Sequence, residues 1–277
     1  VGVHHFLPSP TIMSTVTIVG AGPGSADLIT VRGARALGRA TVVLHDALVD
    51  PALRELAPAA EWIDVGKRGF CDSTAQTRIN ALLVQHARRD GARVVRLKGG
   101  DPSVFGRLDE ELEALAAAGI ACEVVPGVTS AIAAAADLRR PLTRRGCGRS
   151  VALTTAMTRA GELVAARSAD TEVFYMAGRQ LAALSRRLLA AGWPADTPVA
   201  VVSRAGWPDR NTSDHRVDTL PEACVLHGGR PTVVVVGVGA RALADATVPA
   251  AAAAAESSPD QSLCAQSPVA GPARGKP

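Results

Sequence analysis

Short β-branched runs alternate along the chain with alanine- and leucine-rich stretches of helical period. That alternation predicts a parallel sheet wrapped by helices, an α/β fold. In the first half the spacing predicts strands at 15–19, 41–45, 61–65, 93–98 and 122–125. Helices fall between them: one at 30–39, one from Ser73 to about 89 opened by a Ser73/Gln76 capping box, and one at 109–118 stopped by Gly119. After Pro126-Gly127 the texture changes. A small-residue helix at 129–137 leads into an arginine-rich connector at 139–149, read as the junction between an N-terminal α/β domain (14–137) and a C-terminal one (138–245). The second half predicts strands at 150–154, 172–176, 199–203 and 232–236, with a helix at 179–191 capped by Gly192. Residues 1–13 read as a disordered lead-in, and 246–277, rich in Ala and Pro without periodicity, as a disordered tail.

Composition narrows the class. The 277 residues are 47% hydrophobic and 20% charged, enough for a sizeable core, and no apolar run reaches membrane-spanning length. A net charge of +4 suits a polycarboxylate ligand as well as nucleic acid. The scarcity of aromatics (four Phe, three Trp, one Tyr) argues against the stacking surface of a nucleic-acid binder. The five cysteines form no C-x-x-C pair, so neither a zinc site nor a disulfide framework is expected, and a reducing cytoplasm fits. Only Lys67, Lys98 and Lys276 are lysines among 30 basic residues.

In open α/β sheets ligands bind beyond the carboxyl ends of the strands. All five predicted first-half strands end in suitable residues: Gly20–Gly24, Asp46, Gly66-Lys67, Gly99-Gly100-Asp101-Pro102 and Pro126-Gly127. The first loop is not a dinucleotide fingerprint. Ser25 stands where a third glycine belongs, and Pro23 removes a backbone N–H that a pyrophosphate would use. Gly99 and Gly100 let backbone approach a flat ligand, and Asp101 offers a carboxylate for hydroxyl or amino groups; a simple turn uses the same residues. Asp46 and Lys67 are acid–base candidates by position, with a capping aspartate and a surface cation as the plainer alternatives. The arginines at 139, 140, 144, 145 and 149 form either a carboxylate clamp, a solvated linker or a nucleic-acid patch.

Taken in order, V-G-A-G-P-G at 19–24, L-H-D-A-L-V at 44–49, V-G-K-R at 65–68, V-V-R-L-K-G-G-D-P at 94–102, V-V-P-G-V-T-S-A at 124–131, P-L-T at 141–143 and F-Y-M at 174–176 resemble the uroporphyrinogen-III C-methyltransferase family of tetrapyrrole methylases. The resemblance implies two α/β domains with S-adenosylmethionine in the cleft between them, and a cytoplasmic homodimer. It implies a cofactor site of Pro23, Gly99, Gly100, Asp101, Val104, Thr129, Ser130, Met176 and Ala205, with Asp46 as proton acceptor and Lys67 as proton donor. Arg144 and Arg145 are the expected clamps for the substrate's acetate and propionate arms. The expected reaction is two methyl transfers to uroporphyrinogen III, giving precorrin-2, with no metal site, no nicotinamide cofactor, no nucleic acid and no membrane. Departures from the family pattern at Leu108, Asp109, Arg144, Ala156 and Gly206 bear on the substrate. A methylase of a later precorrin is the nearest alternative, and a basic RNA-binding protein the alternative from another class.

Overall fold

Valine-rich strands with both faces apolar build the first sheet: β1 (Thr15–Gly20), β2 (Val42–His45), β3 (Glu61–Asp64), β4 (Arg93–Lys98) and β5 (Ala121–Val125). The strands are all parallel, in the order β3-β2-β4-β1-β5. The computed structural model describes residues 15–66, 73–157 and 163–243. Lys67, the expected lead-in and the expected tail lie outside them. The described residues belong to one compact unit that ends at Leu243.

The two-residue period of each strand sorts side chains to two faces. Val16, Ile18, Leu44 and Val94 pack with Ile79 and Leu83 of α2 (Ser73–Ala87) and Leu115 of α3 (Leu108–Ala117). Val19, Val43, Val95 and Leu97 pack on the other face with Leu37 of α1 (Val31–Leu37). Each fully buried leucine contributes roughly 1.5–3 kcal/mol. The same parity puts Arg96 and Lys98 on the α2/α3 face with Val94.

The second sheet is mixed. β6 (Val151–Thr155), β7 (Thr171–Tyr175), β8 (Pro198–Ser203), β9 (Asn211–Arg216) and β10 (Thr232–Gly237) lie in the order β6-β7-β10-β8-β9, and only β6 and β7 run parallel. Phe174, Val201 and Val234 pack against Leu181, Leu184 and Leu188 of α5 (Leu181–Ala190). Val173, Val202 and Val235 pack on the opposite face with Ala131 and Ala134 of α4 (Ser130–Leu138). The small-residue helix read as the last element before the junction is therefore packed with the second sheet.

The predicted strands and long helices appear within a residue or two of their expected ends. β9 and the short α6 (Cys224–His227) do not follow from the sequence pattern. β9 is an edge strand whose half-buried positions, Asn211, Ser213 and His215, are all polar, so no apolar alternation betrays it. Among the described residues no helix is long and apolar enough to cross a membrane, no acidic, His or Cys cluster has metal-binding geometry, and Cys122, Cys147 and Cys224 are free.

Candidate functional site

A cavity of about 450 Å³ opens at the carboxyl edge of the first sheet and reaches the second. Asp46 at the end of β2, Pro23 after β1, and Gly99, Gly100, Asp101 and Val104 after β4 line one side. Thr129 and Ser130 at the start of α4, Met176 after β7 and Ala205 after β8 line the other. The topology explains this convergence. β4 lies between β2 and β1, so the loops that leave these three strands emerge side by side.

The rim is held backbone to backbone. The Ala21 N–H donates to the Lys98 carbonyl at 2.8 Å, and the Gly100 N–H to the Gly22 carbonyl at 2.7 Å. A Cβ on Gly20 would fall 2.6 Å from the Gly127 Cα, so only glycine permits the loops to touch there. Gly20 thus serves contact between loops, while Pro23 of the same loop lines the cavity. Gly100 differs: its φ is +72°, and a Cβ there would meet nothing within 4 Å. The edge at Gly99-Gly100 faces open cavity that side chains would fill, and this cradle fits a flat cofactor.

Asp101 is less available than the sequence suggests. Its Oδ1 accepts from the Ser103 N–H at 2.8 Å and from the Ser103 hydroxyl, and its Oδ2 from the Gly127 N–H at 2.9 Å. Burial pushes its carboxyl up, and the bonds from Ser103 and Gly127 outweigh that, holding it below the usual carboxylate range. Asp101 staples the β4 loop to the β5 loop.

Beneath Asp46 lies a network that the sequence reading did not identify. Arg96 is 2% exposed and Glu111 fully buried. Arg96 Nη2 reaches Asp46 Oδ1 at 2.5 Å, while its Nε donates to Glu111 Oε1 at 3.0 Å. Lys98 Nζ donates to the same oxygen at 2.9 Å, and Gln76 Nε2 at 3.4 Å. Burial and the neighbouring Arg96 push the Lys98 ammonium below its ordinary value, with Glu111 and Asp46 opposing them. Burial would also lower Arg96, but Asp46 and Glu111 prevail and raise it. Glu111 had a sequence signal: it falls on the helical stripe of Leu108, Leu112 and Leu115, the buried face of α3.

At the second-sheet end, the Tyr175 hydroxyl and the Thr129 hydroxyl are 2.9 Å apart, and the Phe105 ring stands edge-on to Tyr175 at 5.0 Å. Burial raises the Tyr175 hydroxyl above its ordinary value. Arg204 and Trp207 complete this wall.

The expected substrate clamps are elsewhere. Neither Arg144 nor Arg145 lines the cavity. The guanidinium of Arg144 donates to the Arg241 carbonyl, and Arg145 is exposed. Nearby Arg140 forms a two-pronged pair with Asp214 of β9, at 2.5 and 2.8 Å, and donates to the Ala240 carbonyl at 2.9 Å. These arginines tie the connector to the second sheet, a role their clustering did not distinguish from ligand binding. Among the described residues, the cations that line the cavity are Arg96, Lys98, Arg107 and Arg204.

Residues 15–221 match the family described as Tetrapyrrole (Corrin/Porphyrin) Methylases. Over 227 residues the chain is 43% identical to the uroporphyrinogen-III C-methyltransferase of Pseudomonas aeruginosa, covering 80% of this chain and 92% of that one. It is also 43% identical to the siroheme synthase of Edwardsiella ictaluri, covering 84% of this chain but only 51% of that one, so it spans about half the length of such synthases. The solved uroporphyrin-III C-methyl transferase of Thermus thermophilus complexed with S-adenosyl homocysteine superposes with a TM-score of 0.71 at 36% identity, covering 80% of this chain and 97% of that one. With the open glycine edge, the paired carboxylate and the two-sheet architecture in place, the chain belongs to the tetrapyrrole methylases.

Proposed function

We propose that the chain transfers methyl groups from S-adenosylmethionine to two carbon atoms of uroporphyrinogen III, giving precorrin-2. The observation that carries this reading is one cavity in which the open Gly99-Gly100 edge and the Asp46 carboxylate stand together, in a chain so similar to named C-methyltransferases. Pro23, Gly99, Gly100, Val104, Thr129, Ser130, Met176 and Ala205 hold the cofactor in this reading, and Asp101 shapes their loop.

When bound, S-adenosylmethionine supplies a methyl group already activated by a positive sulfur. The chain's own work is alignment, exclusion of water and removal of one proton from the methylated ring. Asp46 takes that proton. Its Oδ1 is engaged by Arg96, while among the described residues its Oδ2 has only a long bond, 3.4 Å, from the Gly99 N–H. Lys67, which lies outside the described residues, is the proposed proton donor. Arg107, on the cavity wall, is placed to meet a carboxylate arm; its present partner is Glu110, at 2.6 Å.

The test is incubation with uroporphyrinogen III and isotopically labelled S-adenosylmethionine, followed by mass analysis. A product carrying two labelled methyl groups is expected. A single methyl, or turnover only of a later precorrin, overturns the substrate assignment. The reading extends to a cytoplasmic homodimer, supported by the exposed apolar Ile132 and Leu153 and by the free cysteines. Sedimentation equilibrium giving a monomer mass at micromolar concentration would remove the dimer from it.

A further inference from the structure

We propose that Arg96 is a positioning residue for proton removal: clamped by buried Glu111, it fixes which oxygen of Asp46 faces the cavity and couples that carboxylate to the buried pair beneath it. This rests on the reading of Asp46 as proton acceptor.

The argument begins with orientation. The Arg96 guanidinium is held on every side: Nε by Glu111 Oε1 at 3.0 Å, Nη1 by the Leu97 carbonyl at 3.1 Å and the Leu44 carbonyl at 3.4 Å, and Nη2 by Asp46 Oδ1 at 2.5 Å. A planar fork fixed at one end presents the other in a single direction. Asp46 Oδ1 is thereby pinned, and Oδ2 is the oxygen left for the cavity.

Cost points the same way. Buried ion pairs are seldom the most stable filling, and an apolar side chain of similar volume usually serves a core at least as well. The β4 neighbours Val94, Val95 and Leu97 belong to two apolar cores, so packing alone does not call for a guanidinium between them. Arg96 and Asp46 both line the cavity, and the far end of the guanidinium meets the carboxylate.

The surroundings determine the sign of the effect. Lys98 shares Glu111 with Arg96 and faces Asp46 from the same strand. From β2, His45 Nδ1 lies 3.1 Å from the Asp46 carbonyl oxygen. From β5, Cys122 faces Glu111, and burial above all pushes its thiol up to about 11, so it stays neutral. Removing Arg96 strips Asp46 of the cation paired with its Oδ1. Removing the Glu111 charge strips the same region of an anion. The two changes should move Asp46 in opposite directions.

The experiment uses the full chain labelled with carboxyl-carbon-13 aspartate, with the Asp46 resonance assigned through Asp46→Asn. In Arg96→Gln the protonation midpoint of Asp46 should move to higher pH by about one unit or more, and in Glu111→Gln to lower pH. If Arg96→Gln does not fold, Glu111→Gln still tests the sign. Turnover of uroporphyrinogen III by Arg96→Gln should fall tenfold or more while the KM for S-adenosylmethionine stays within twofold. The double variant with Asp46→Asn should be no slower than Asp46→Asn alone. An Asp46 midpoint indifferent to both substitutions, or losses that multiply in the double variant, would overturn the proposal. The midpoints are read without substrate, so a chain that shows them but leaves uroporphyrinogen III unmethylated retains the Arg96–Asp46 coupling and loses only the substrate reading.

Discussion

The indole N–H of Trp207 donates to the carbonyl of Pro23 at 3.1 Å, across 184 residues of sequence. Arg204 stacks its guanidinium over the same indole at 4.4 Å, and the Ser25 N–H donates to the Gly206 carbonyl at 2.9 Å. The first loop of one sheet is thus fastened to a loop of the other where both line the cavity. Trp207→Phe keeps a ring and removes the bond. A loss of about 1 kcal/mol of stability is expected, with a several-fold weaker affinity for S-adenosylmethionine by calorimetry. Unchanged affinity would make the contact a packing detail.

Asp46→Asn preserves shape and removes the carboxylate proposed to accept the proton. Turnover should fall about a hundredfold or more, with cofactor affinity kept within a few-fold. Rapid-quench kinetics beside calorimetry separate the two, and survival of turnover within a few-fold would reduce Asp46 to a turn residue.

Gly99 and Gly100 test the cofactor edge differently. A side chain at Gly100 meets open space but must adopt φ of +72°, which costs roughly 1–2 kcal/mol of strain. Gly99 carries no such penalty, and its Cβ would lie 3.7 Å from Leu48 Cβ, an ordinary contact. Gly99→Val should therefore leave the melting temperature almost unchanged and weaken S-adenosylmethionine binding at least tenfold. Full affinity in that variant would move the cofactor off this edge.

Arg145→Ala should change the KM for the tetrapyrrole less than twofold, because Arg145 is exposed and away from the cavity. Arg144→Ala should lower the melting temperature instead, through loss of its bond to the Arg241 carbonyl. A large rise in KM from either would restore the clamp.

His227 supplies a pH signature for stability. It is fully buried between the hydroxyls of Ser203 and Ser213, at 3.0 and 2.9 Å, and burial, then His215 and Arg230, bring its pKa down to about 4. The fold holds the neutral ring. Its contribution is complete above about 6.5, the unfolded value. Acidification removes it progressively until the pH reaches about 4. Melting temperature should decline across that window, and His227→Gln should decline less steeply.

Much of this was legible in the sequence because buried parallel strands are continuous apolar runs whose loops end in glycine and acidic residues. Asp46, Gly99 and Thr129 stand at strand or helix ends, where period and turn chemistry locate them. Arg96 was not legible: on pattern alone a cation in β4 belongs at the surface, and its partner Glu111 lies 15 residues on, in another element. That Arg144 and Arg145 do not line the cavity was not legible either, because charge density does not say which way a guanidinium points. Arg140 and Arg144 spend theirs on Asp214 and on backbone carbonyls.

The rim at Gly20 and Gly127 brings main chain against main chain, and a Cβ on either glycine would fall within 3 Å of backbone across it. Such a contact offers little for mutation to adjust, since a side chain at either position separates the loops. Variation among chains built this way is left to side chains that line the same cavity outside that seam, such as the exposed Leu48 and Phe105. On the proposed function, the methyl-donor end is thereby frozen by geometry, and the acceptor end is where descent can experiment.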